Sequence, residues 1–326
     1  MKILIIGAQG MVGQKLTARL QSLGALAEQS IDSITLVDVV EPQILSATDK
    51  IQITAITADL SQPNVARQLI ENKPDTIYHL AAIVSGEAER DMHKGYRINL
   101  DGTRALLEAI DEQHEKSGYC PKLIFTSSIA VYGKPLPDVI EDDFHLTPLS
   151  SYGTQKAMCE LMLADYNRRN IIQGIGLRLP TICIRPGKPN AAASSFFSGI
   201  LREPINGEPA ILPVDDTVRH WFASPRAAVN FLTHAASLDR EQIGMRCYMN
   251  LPGLSATVAE QIESLRTMIG SDAVALIKRK ADPEVASLVS GWPESFNPAR
   301  AIELGFKAEN SFEDIIQVYL DDDFQR

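Results

Sequence analysis

The chain has 326 residues, a net charge of -10 and 45% hydrophobic residues, which is typical of a globular protein with a sizeable core. Its basic cluster at residues 278–280 is only three residues long, so the sequence favours neither nucleic acid nor an anionic membrane as a partner. The four cysteines lack the spacing of a zinc site or disulfide framework and indicate a reducing compartment. Without a signal peptide or an apolar run of about 18 residues, we expect a cytoplasmic protein that does not span a membrane.

In the first 180 residues, short apolar runs alternate with stretches whose apolar residues have helical spacing. Strands are predicted over residues 2–6, 34–37, 51–58, 76–80, 122–126 and 174–179. Helices are predicted between them over residues 14–23, 65–72, 98–113 and 151–170. This alternation is typical of right-handed βαβ units with helices on both faces of a parallel sheet. We therefore predict an α/β fold with a doubly wound Rossmann sheet, which binds ligands at the carboxyl ends of its strands.

The pattern changes after residue 180, where prolines and glycines become frequent. Helices are predicted there over residues 225–237, 257–268 and 298–304. We expect a first domain of residues 1–180 and a smaller lobe of residues 181–326 that closes over it. Some segments of that lobe are expected to return to the sheet.

Three glycines, Gly7, Gly10 and Gly13, follow the first strand and open the first helix. Glycines in this context permit a tight turn, bring the backbone close to a pyrophosphate and let the helix pack on the strand. Asp38 ends the second strand, 25 residues after Gly13, where a carboxylate binds the ribose hydroxyls and repels a 2′-phosphate. These residues predict NAD rather than NADP as cofactor. The alternative for Asp38 is an aspartate that only starts a turn.

Other cofactor contacts are predicted from their positions after the strands. Asp59 follows the third strand and either bonds the adenine edge or caps the turn at Ser61. Small residues after the fourth strand let a dinucleotide pass close to the backbone, whereas His79 is expected to be structural. The predicted cofactor contacts are Gly7, Gln9, Gly10, Met11, Val12, Gly13, Asp38, Asp59, Leu60, Leu80, Ala81, Ala82, Asn99, Ser127, Tyr152, Lys156, Pro180 and Thr181.

Tyr152 and Lys156 lie four residues apart near the start of a predicted helix, so both project from one face. A tyrosine has a pKa of about 10, which a neighbouring ammonium and an oxidised nicotinamide lower by favouring the phenolate. The phenolate then takes a hydroxyl proton while a hydride leaves the same carbon. Ser128 ends the fifth strand and orients the reacting hydroxyl or carbonyl. These residues predict an NAD-dependent oxidoreductase without a metal, and Lys156 is also expected to bond the nicotinamide ribose.

Together with the segments 79–82, 98–103 and 131–133, these motifs resemble the extended short-chain dehydrogenase/reductases, which include NAD-dependent epimerases and dehydratases. The resemblance covers residues 1 to about 180. It implies a catalytic triad of Ser128, Tyr152 and Lys156, with Asn99 supporting a proton-relay water. It also implies a homodimer in which the helices over 98–113 and 151–170 form a four-helix bundle. Their apolar residues fit that bundle or packing against the sheet: Leu106, Leu107, Ile110, Leu161 and Met162.

The segment 178–190 departs from the pattern of nucleotide-sugar epimerases. Together with segments 82–89 and 194–197, it resembles the group of D-erythronate dehydrogenases. That resemblance implies oxidation of the C2 hydroxyl of a four-carbon sugar acid, D-erythronate, to the 2-oxo acid. The alternatives are a UDP-sugar 4-epimerase with tightly bound NAD and a non-catalytic NAD-sensing regulatory protein. The presence of the Tyr152–Lys156 pair disfavours the last of these.

A small hydroxy acid needs a cation for its carboxylate, and the planar fork of arginine suits that geometry. Arg185, Lys188 and Arg219 are the candidates from the smaller lobe. The predicted substrate contacts are Ser85, Gly86, Ser128, Arg185, Lys188 and Arg219.

Overall fold

The structure is a computed structural model that describes residues 1–44, 50–187 and 194–324. The strands are, in chain order, β1 (Lys2–Ile6), β2 (Ala25–Leu26), β3 (Gln29–Ser30), β4 (Ser33–Asp38), β5 (Gln52–Thr57), β6 (Thr76–His79), β7 (Lys122–Ser128), β8 (Ile140–Glu141), β9 (Gln173–Leu179), β10 (Thr181–Ile182), β11 (Ala210–Leu212), β12 (Arg219–Ala223), β13 (Tyr248–Asn250), β14 (Leu254–Thr257), β15 (Ile277–Arg279) and β16 (Phe296–Asn297).

The α-helices are α1 (Met11–Leu23), α2 (Val65–Ile70), α3 (Ser85–Arg90), α4 (Met92–Gly95), α5 (Gly102–Ser117), α6 (Ser151–Arg168), α7 (Ser195–Ile205), α8 (Pro225–Ser237), α9 (Arg240–Ile243), α10 (Val258–Met268), α11 (Ser271–Ala275), α12 (Pro283–Val289), α13 (Ala299–Glu303) and α14 (Phe312–Asp322). A π-helical segment spans Tyr96–Asp101, and a 3-10 turn spans Ile129–Val131. No helix in the described ranges is long and apolar enough to cross a membrane.

Seven strands form the central sheet in the order β13-β9-β7-β6-β1-β4-β5, and every neighbouring pair is parallel. The predicted α/β fold with a doubly wound sheet is confirmed. From β1 the chain first builds outward through β4 and β5, then returns to β6 and builds the other side. The strand order therefore reverses between β1 and β6, which is where ligands bind in such sheets.

The helix predicted over residues 98–113 begins differently in the structure. Its first turns form the π-helical segment Tyr96–Asp101, and α5 starts only at Gly102. Asn99 lies in this wider turn with its side chain bonded to neighbouring segments rather than to solvent. A π-helical turn inside a helix often marks a functional position. Its residues do not follow the 3.6-residue period by which helices are predicted from a sequence, so this turn was not predicted.

The segments after residue 180 contribute to two cores. β13 extends the central sheet beside β9, and α8 packs against α1, so both belong to the sheet core. A second core lies between α7, α10 and α14, with Phe197, Leu265 and Ile315 fully buried. The three-stranded sheet β10-β12-β14 borders this second core. The division of the chain at residue 180 into a cofactor domain and a substrate lobe stays our proposal.

Replacing Leu107, which is fully buried in the sheet core, by alanine should lower the free energy of unfolding by about 2–5 kcal/mol because the lost contacts leave a cavity. The control Ile302→Ala, at a side chain that is 56% exposed, should change it by about 0.5 kcal/mol or less. Urea denaturation of both variants measures the difference. Equal effects would contradict the packing of α5 against the sheet.

Candidate active site

The glycine turn after β1 is held close to the end of β6. Gly7 has a φ of +91°, and a Cβ atom there would lie 2.6 Å from the backbone nitrogen of Ala81. At Gly13 a Cβ would lie 2.3 Å from the Gly7 carbonyl oxygen. At Gly10 the nearest atom is the Gly7 carbonyl oxygen at 3.4 Å, so a Cβ there meets space rather than protein. Gly7 and Gly13 are thus required by packing, whereas Gly10 leaves room for a ligand.

The same turn begins α1. Gly10 is the N-cap residue, so no side chain satisfies the first N–H groups of this 13-residue helix. Asp38 at the end of β4 accepts a hydrogen bond from the backbone N–H of Gln9 at 2.9 Å. The Gln9 side chain in turn accepts from the N–H of Gln43 at 3.0 Å. Free helix N–H groups beside an open glycine and a strand-end carboxylate fit the pyrophosphate and ribose of NAD.

Asp59 makes the contacts expected of a turn cap. Its Oδ1 accepts from the backbone N–H of Ser61 at 2.9 Å and from the Ser61 hydroxyl at 2.7 Å. Leu60 is buried beside Gly102. The carboxylate thus serves the turn, and its contact with adenine stays a prediction.

A cavity of about 450 Å³ lies over the carboxyl ends of β1, β6, β7 and β9 and extends to the smaller lobe. It brings together most of the residues that the sequence singled out. Those on its wall are Gly7, Gly10, Met11, Val12, Gly13, Leu80, Ala82, Ser85, Gly86, Ser127, Ser128, Tyr152, Lys156, Pro180, Thr181 and Arg185.

The remaining predicted residues lie elsewhere. Over the described ranges, the wall does not include Gln9, Asp38, Asp59, Leu60, Ala81, Asn99 and Arg219. Arg219 instead contacts Ser255 and forms an ion pair with Glu260 at 3.3 Å. Its charge is thus taken up by β14 and α10, and its role as a substrate contact stays a prediction. Lys188 lies outside the described residues.

Ser128 and Tyr152 both line the cavity and share a hydrogen bond. α6 begins at Ser151, with the Ser150 hydroxyl accepting from the N–H of Gly153, and this start places Tyr152 in the first helical turn. Burial raises the pKa of Tyr152 to about 12, while a hydrogen bond with Ser128 and the charge of Arg185 act to lower it. The phenol is therefore neutral in the protein alone and has a cation close by.

Lys156 is 2% exposed and donates from Nζ to the Thr126 carbonyl oxygen at 2.8 Å. Its Nζ lies 5.7 Å from the centre of the Tyr152 ring and 4.6 Å from that of Phe125. Burial lowers the pKa of Lys156 to about 8. The cation that acts to lower the pKa of Tyr152 in the protein alone is Arg185. The expected effect of Lys156 on that pKa in the cofactor complex stays a prediction.

One helical turn after Lys156, a buried ion pair joins α6 to the sheet. Glu160 and Arg178 are at most 1% exposed and meet at 2.7 Å. Glu160 also accepts from the Ser127 hydroxyl at 2.5 Å, so that predicted cofactor contact already has a partner in the protein. Arg178 continues to the hydroxyl of Tyr132, which donates to Asn250 on β13 at 2.8 Å. The sequence analysis missed this network, since charged residues in helices are usually exposed.

Asn99 links three segments behind the cavity. Its Oδ1 accepts from the N–H of Ile83 at 2.9 Å, and its Nδ2 donates to the Gln155 side chain at 2.7 Å. Gln155 lies next to Lys156 on α6. Asn99 therefore fixes the loop after β6 against the catalytic helix, and its support of a relay water stays a prediction.

The cavity wall also includes Leu288, Trp292 and Pro293, none of which the sequence analysis identified. His220 Nδ1 lies 2.9 Å from the Pro293 carbonyl oxygen and Nε2 lies 2.7 Å from the Thr181 hydroxyl. Since a carbonyl only accepts, Nδ1 carries the proton and Nε2 accepts from Thr181. Burial lowers the pKa of His220 to about 4, which keeps this arrangement neutral.

Comparison with known proteins identifies the family. Residues 3–236 match the model described as Epimerase, the NAD dependent epimerase/dehydratase family. The chain belongs to this family. It is an NAD-dependent oxidoreductase, and the predicted resemblance to extended short-chain dehydrogenase/reductases is confirmed.

Three similar proteins cover nearly the whole chain. The D-erythronate dehydrogenase of Cupriavidus necator is 46% identical over 99% of this chain and 98% of that protein. The D-erythronate dehydrogenase of Haemophilus influenzae is 40% identical over 99% of this chain and 100% of that protein. A crystal structure from Agrobacterium tumefaciens, described as a nucleoside-diphosphate-sugar epimerase, is 58% identical with a TM-score of 0.96, and the match covers 99% of this chain and 94% of that one.

Gly10→Ala should weaken NADH binding by about ten-fold or more, or about 1.4 kcal/mol, because the added methyl group occupies space meant for the cofactor. Thermal stability should not change, since the φ of -64° suits alanine. Gly199→Ala in α7, where a Cβ meets only ordinary contacts, is the control. Fluorescence titration with NADH measures the affinity, and unchanged binding in Gly10→Ala would contradict the assignment of this turn.

Lys156→Met should raise the free energy of unfolding at pH 7 by about 1–3 kcal/mol, because it removes a buried charge at 1.36 kcal/mol per pKa unit. The unfolded lysine binds its proton up to its ordinary pKa of about 10.4, and the folded one only to about 8. The free energy of unfolding of the wild-type protein therefore rises between these two pH values. The difference in this free energy between the wild type and Lys156→Met should disappear over the same interval. Urea denaturation at pH 7 and pH 10.5 tests this, with exposed Lys278→Met as control.

Proposed function

We propose that this chain oxidises the C2 hydroxyl of the four-carbon sugar acid D-erythronate to 2-oxo-D-erythronate. The observation that carries the proposal is a single cavity in which Ser128, Tyr152 and Lys156 lie between the glycine turn and a cationic side chain, Arg185. Two relatives with this printed activity, similar over nearly their whole length, support the choice of substrate.

In the proposed reaction, the substrate hydroxyl lies between Ser128 and Tyr152, which already share a hydrogen bond. Tyr152 acts as the general base in its phenolate form, which a nearby cation and the oxidised nicotinamide would favour over the phenol. Its Oη takes the hydroxyl proton, while the C2–O bond becomes a carbonyl. NAD, held at the glycine turn, would supply the acceptor for the hydride that leaves C2. Ser128 then donates a hydrogen bond to the new carbonyl oxygen. The hydride thus removes one hydrogen and two electrons from C2, and the hydroxyl proton stays on Tyr152.

Lys156 contributes a fixed positive charge below the reacting atoms. Its bond to the Thr126 carbonyl holds it at the end of β7, from which we expect it to reach the nicotinamide ribose. The pyrophosphate is proposed to bind at Gly10 and the start of α1, and the adenosine ribose at Asp38. The other contacts predicted from the sequence stay predictions, and among the predicted substrate contacts Ser85, Gly86 and Ser128 line the cavity.

The proposal is tested by incubating the pure protein with NAD and D-erythronate and following the formation of NADH and of the 2-oxo acid. A panel of four- and five-carbon sugar acids, each assayed with NAD and NADP, sets the specificity. Formation of NADH with D-erythronate and NAD is expected. No turnover of any four-carbon acid would overturn the proposal.

The second candidate is a nucleotide-sugar 4-epimerase, favoured by the description of the 58% identical structure. Such an enzyme retains its NAD through each turnover and interconverts UDP-sugars. The same preparations therefore distinguish the two functions. Cofactor that stays bound through gel filtration, together with UDP-sugar interconversion, would favour the epimerase, whereas freely exchanging NAD favours the dehydrogenase.

The homodimer implied by the resemblance is also kept as a proposal. Leu106, Leu107 and Ile110 of α5 are buried against the sheet, but Leu161 of α6 is 62% exposed. Met158, one turn earlier on α6, is 39% exposed. This pair gives α6 an apolar strip that a second copy would cover. Sedimentation of the wild-type protein and of Leu161→Glu tests the homodimer, which the charged side chain should disrupt.

The cytoplasmic location also stays a prediction.

Tyr152→Phe should lower kcat for the sugar acid by about 10²- to 10⁴-fold, because it removes the group that accepts the proton. Binding of NADH should persist, since phenylalanine keeps the ring on α6. Tyr166→Phe, near the far end of the same helix, is the matched control and should keep full activity. A Tyr152→Phe variant with wild-type kcat would exclude the tyrosine as base.

A further inference from the structure

Arg185 is a cationic side chain on the cavity wall whose backbone is held firmly by α7. Its N–H donates to the Ser198 hydroxyl at 3.1 Å, and its carbonyl oxygen accepts from Arg202 at 2.7 Å. Its guanidinium donates to the Ser194 hydroxyl at 2.8 Å. The guanidinium is thus positioned by neutral groups at the boundary between the cavity and the smaller lobe.

The charge of Arg185 has no counterpart in the described parts of the chain: no Asp or Glu side chain there forms an ion pair with it. Its neighbour Arg202, in contrast, pairs with Glu203 at 2.5 Å. Burial lowers the pKa of Arg185, as does the like charge of Arg202. A partly buried guanidinium without an anion is costly unless a ligand supplies one.

We propose that Arg185 binds the carboxylate of a 2-hydroxy acid and so selects substrates in which the reacting hydroxyl is adjacent to that carboxylate. The inference rests on the proposed function and names the group that recognises the acid. Arg185, Tyr152 and Ser128 all line the cavity. In a 2-hydroxy acid, a single carbon–carbon bond separates C2 from the carboxylate. We therefore expect a carboxylate held by Arg185 to direct the C2 hydroxyl toward Tyr152 and Ser128.

This arrangement distinguishes among the three cations that the sequence suggested. Arg219 is already paired with Glu260 and lies off the wall, and Lys188 lies outside the described residues. Arg185 combines a place on the wall, a fixed backbone and a charge that no carboxylate of the described residues pairs with. Its planar fork also suits two parallel hydrogen bonds to a carboxylate.

The experiment uses the protein saturated with NADH, which accepts no hydride, so that a hydroxy acid binds without turnover. Glycolate, the shortest 2-hydroxy acid, and its neutral amide, glycolamide, are the probes. Their affinities are measured by calorimetry for the wild-type protein, Arg185→Met and Arg185→Lys. Arg266→Met, at an exposed arginine on α10, is the control. Quenching of Trp292 fluorescence gives an independent measure, since this residue lines the cavity.

Arg185→Met should weaken glycolate binding by about 10- to 100-fold, the range for hydrogen bonds to charged groups, and leave glycolamide unchanged. Arg185→Lys keeps the charge but loses the planar fork of N–H donors, so its affinity for glycolate should lie between those of the wild-type protein and Arg185→Met. The pH profile of kcat/KM for the sugar acid should also shift to higher pH in Arg185→Met, because the cation that lowers the pKa of Tyr152 is gone. Equal losses for glycolate and glycolamide, or no loss, would overturn the inference.

The outcome separates the inference from the proposed function. A wild-type protein that does not oxidise D-erythronate, yet binds glycolate through Arg185, contradicts the substrate and keeps the carboxylate site. A protein that oxidises D-erythronate equally well with and without the arginine supports the function and contradicts the site. Should Arg185→Met fail to fold, Arg185→Lys and Ser194→Ala carry the comparison, since both disturb the fork with smaller changes.

Discussion

The buried ion pair between Glu160 and Arg178 is the contact on which the geometry of the active site depends. It fixes the catalytic helix one turn beyond Lys156 and ties that helix to β9, with Ser127 joining it from β7. Two charges taken out of water gain little net stability when they pair, but removing one partner leaves the other unpaired at a cost of about 3–5 kcal/mol. The pair thus acts less as a source of stability than as a constraint on where α6 can lie.

Three cations of this part of the protein differ in what holds them. Lys156 donates to the Thr126 carbonyl, Arg178 is paired with Glu160, and Arg185 lies on the cavity wall, where no carboxylate of the described residues forms an ion pair with it. Burial has the largest effect on Tyr152 and raises the pKa of its phenol to about 12. The hydrogen bond with Ser128 and the charge of Arg185 act in the opposite direction.

The sequence predicted the sheet and the glycine turn because both depend on local patterns: apolar runs, helical spacing and glycines between them. Tyr152, Lys156 and Ser128 followed from the same elements. The sequence could not show that Arg219 is neutralised by Glu260, or that Trp292 arrives at the cavity from more than 100 residues beyond Ile182. These contacts depend on the packing of short strands such as β10 and β12. Such strands have too few residues to show the alternation of apolar and polar side chains by which strands are predicted.

The place of β13 has a consequence for how the chain folds as it is synthesised. Residues 248–250 cover the edge of β9, and Asn250 completes the polar network of Arg178 and Tyr132. Until those residues leave the ribosome, β9 presents a row of unpaired backbone groups, and such an edge is prone to pair with other chains. The six earlier strands of the sheet are therefore completed by three residues that are synthesised about 70 positions after the end of β9. The pairing of β13 with β9 therefore covers this edge only after most of the sheet has been synthesised.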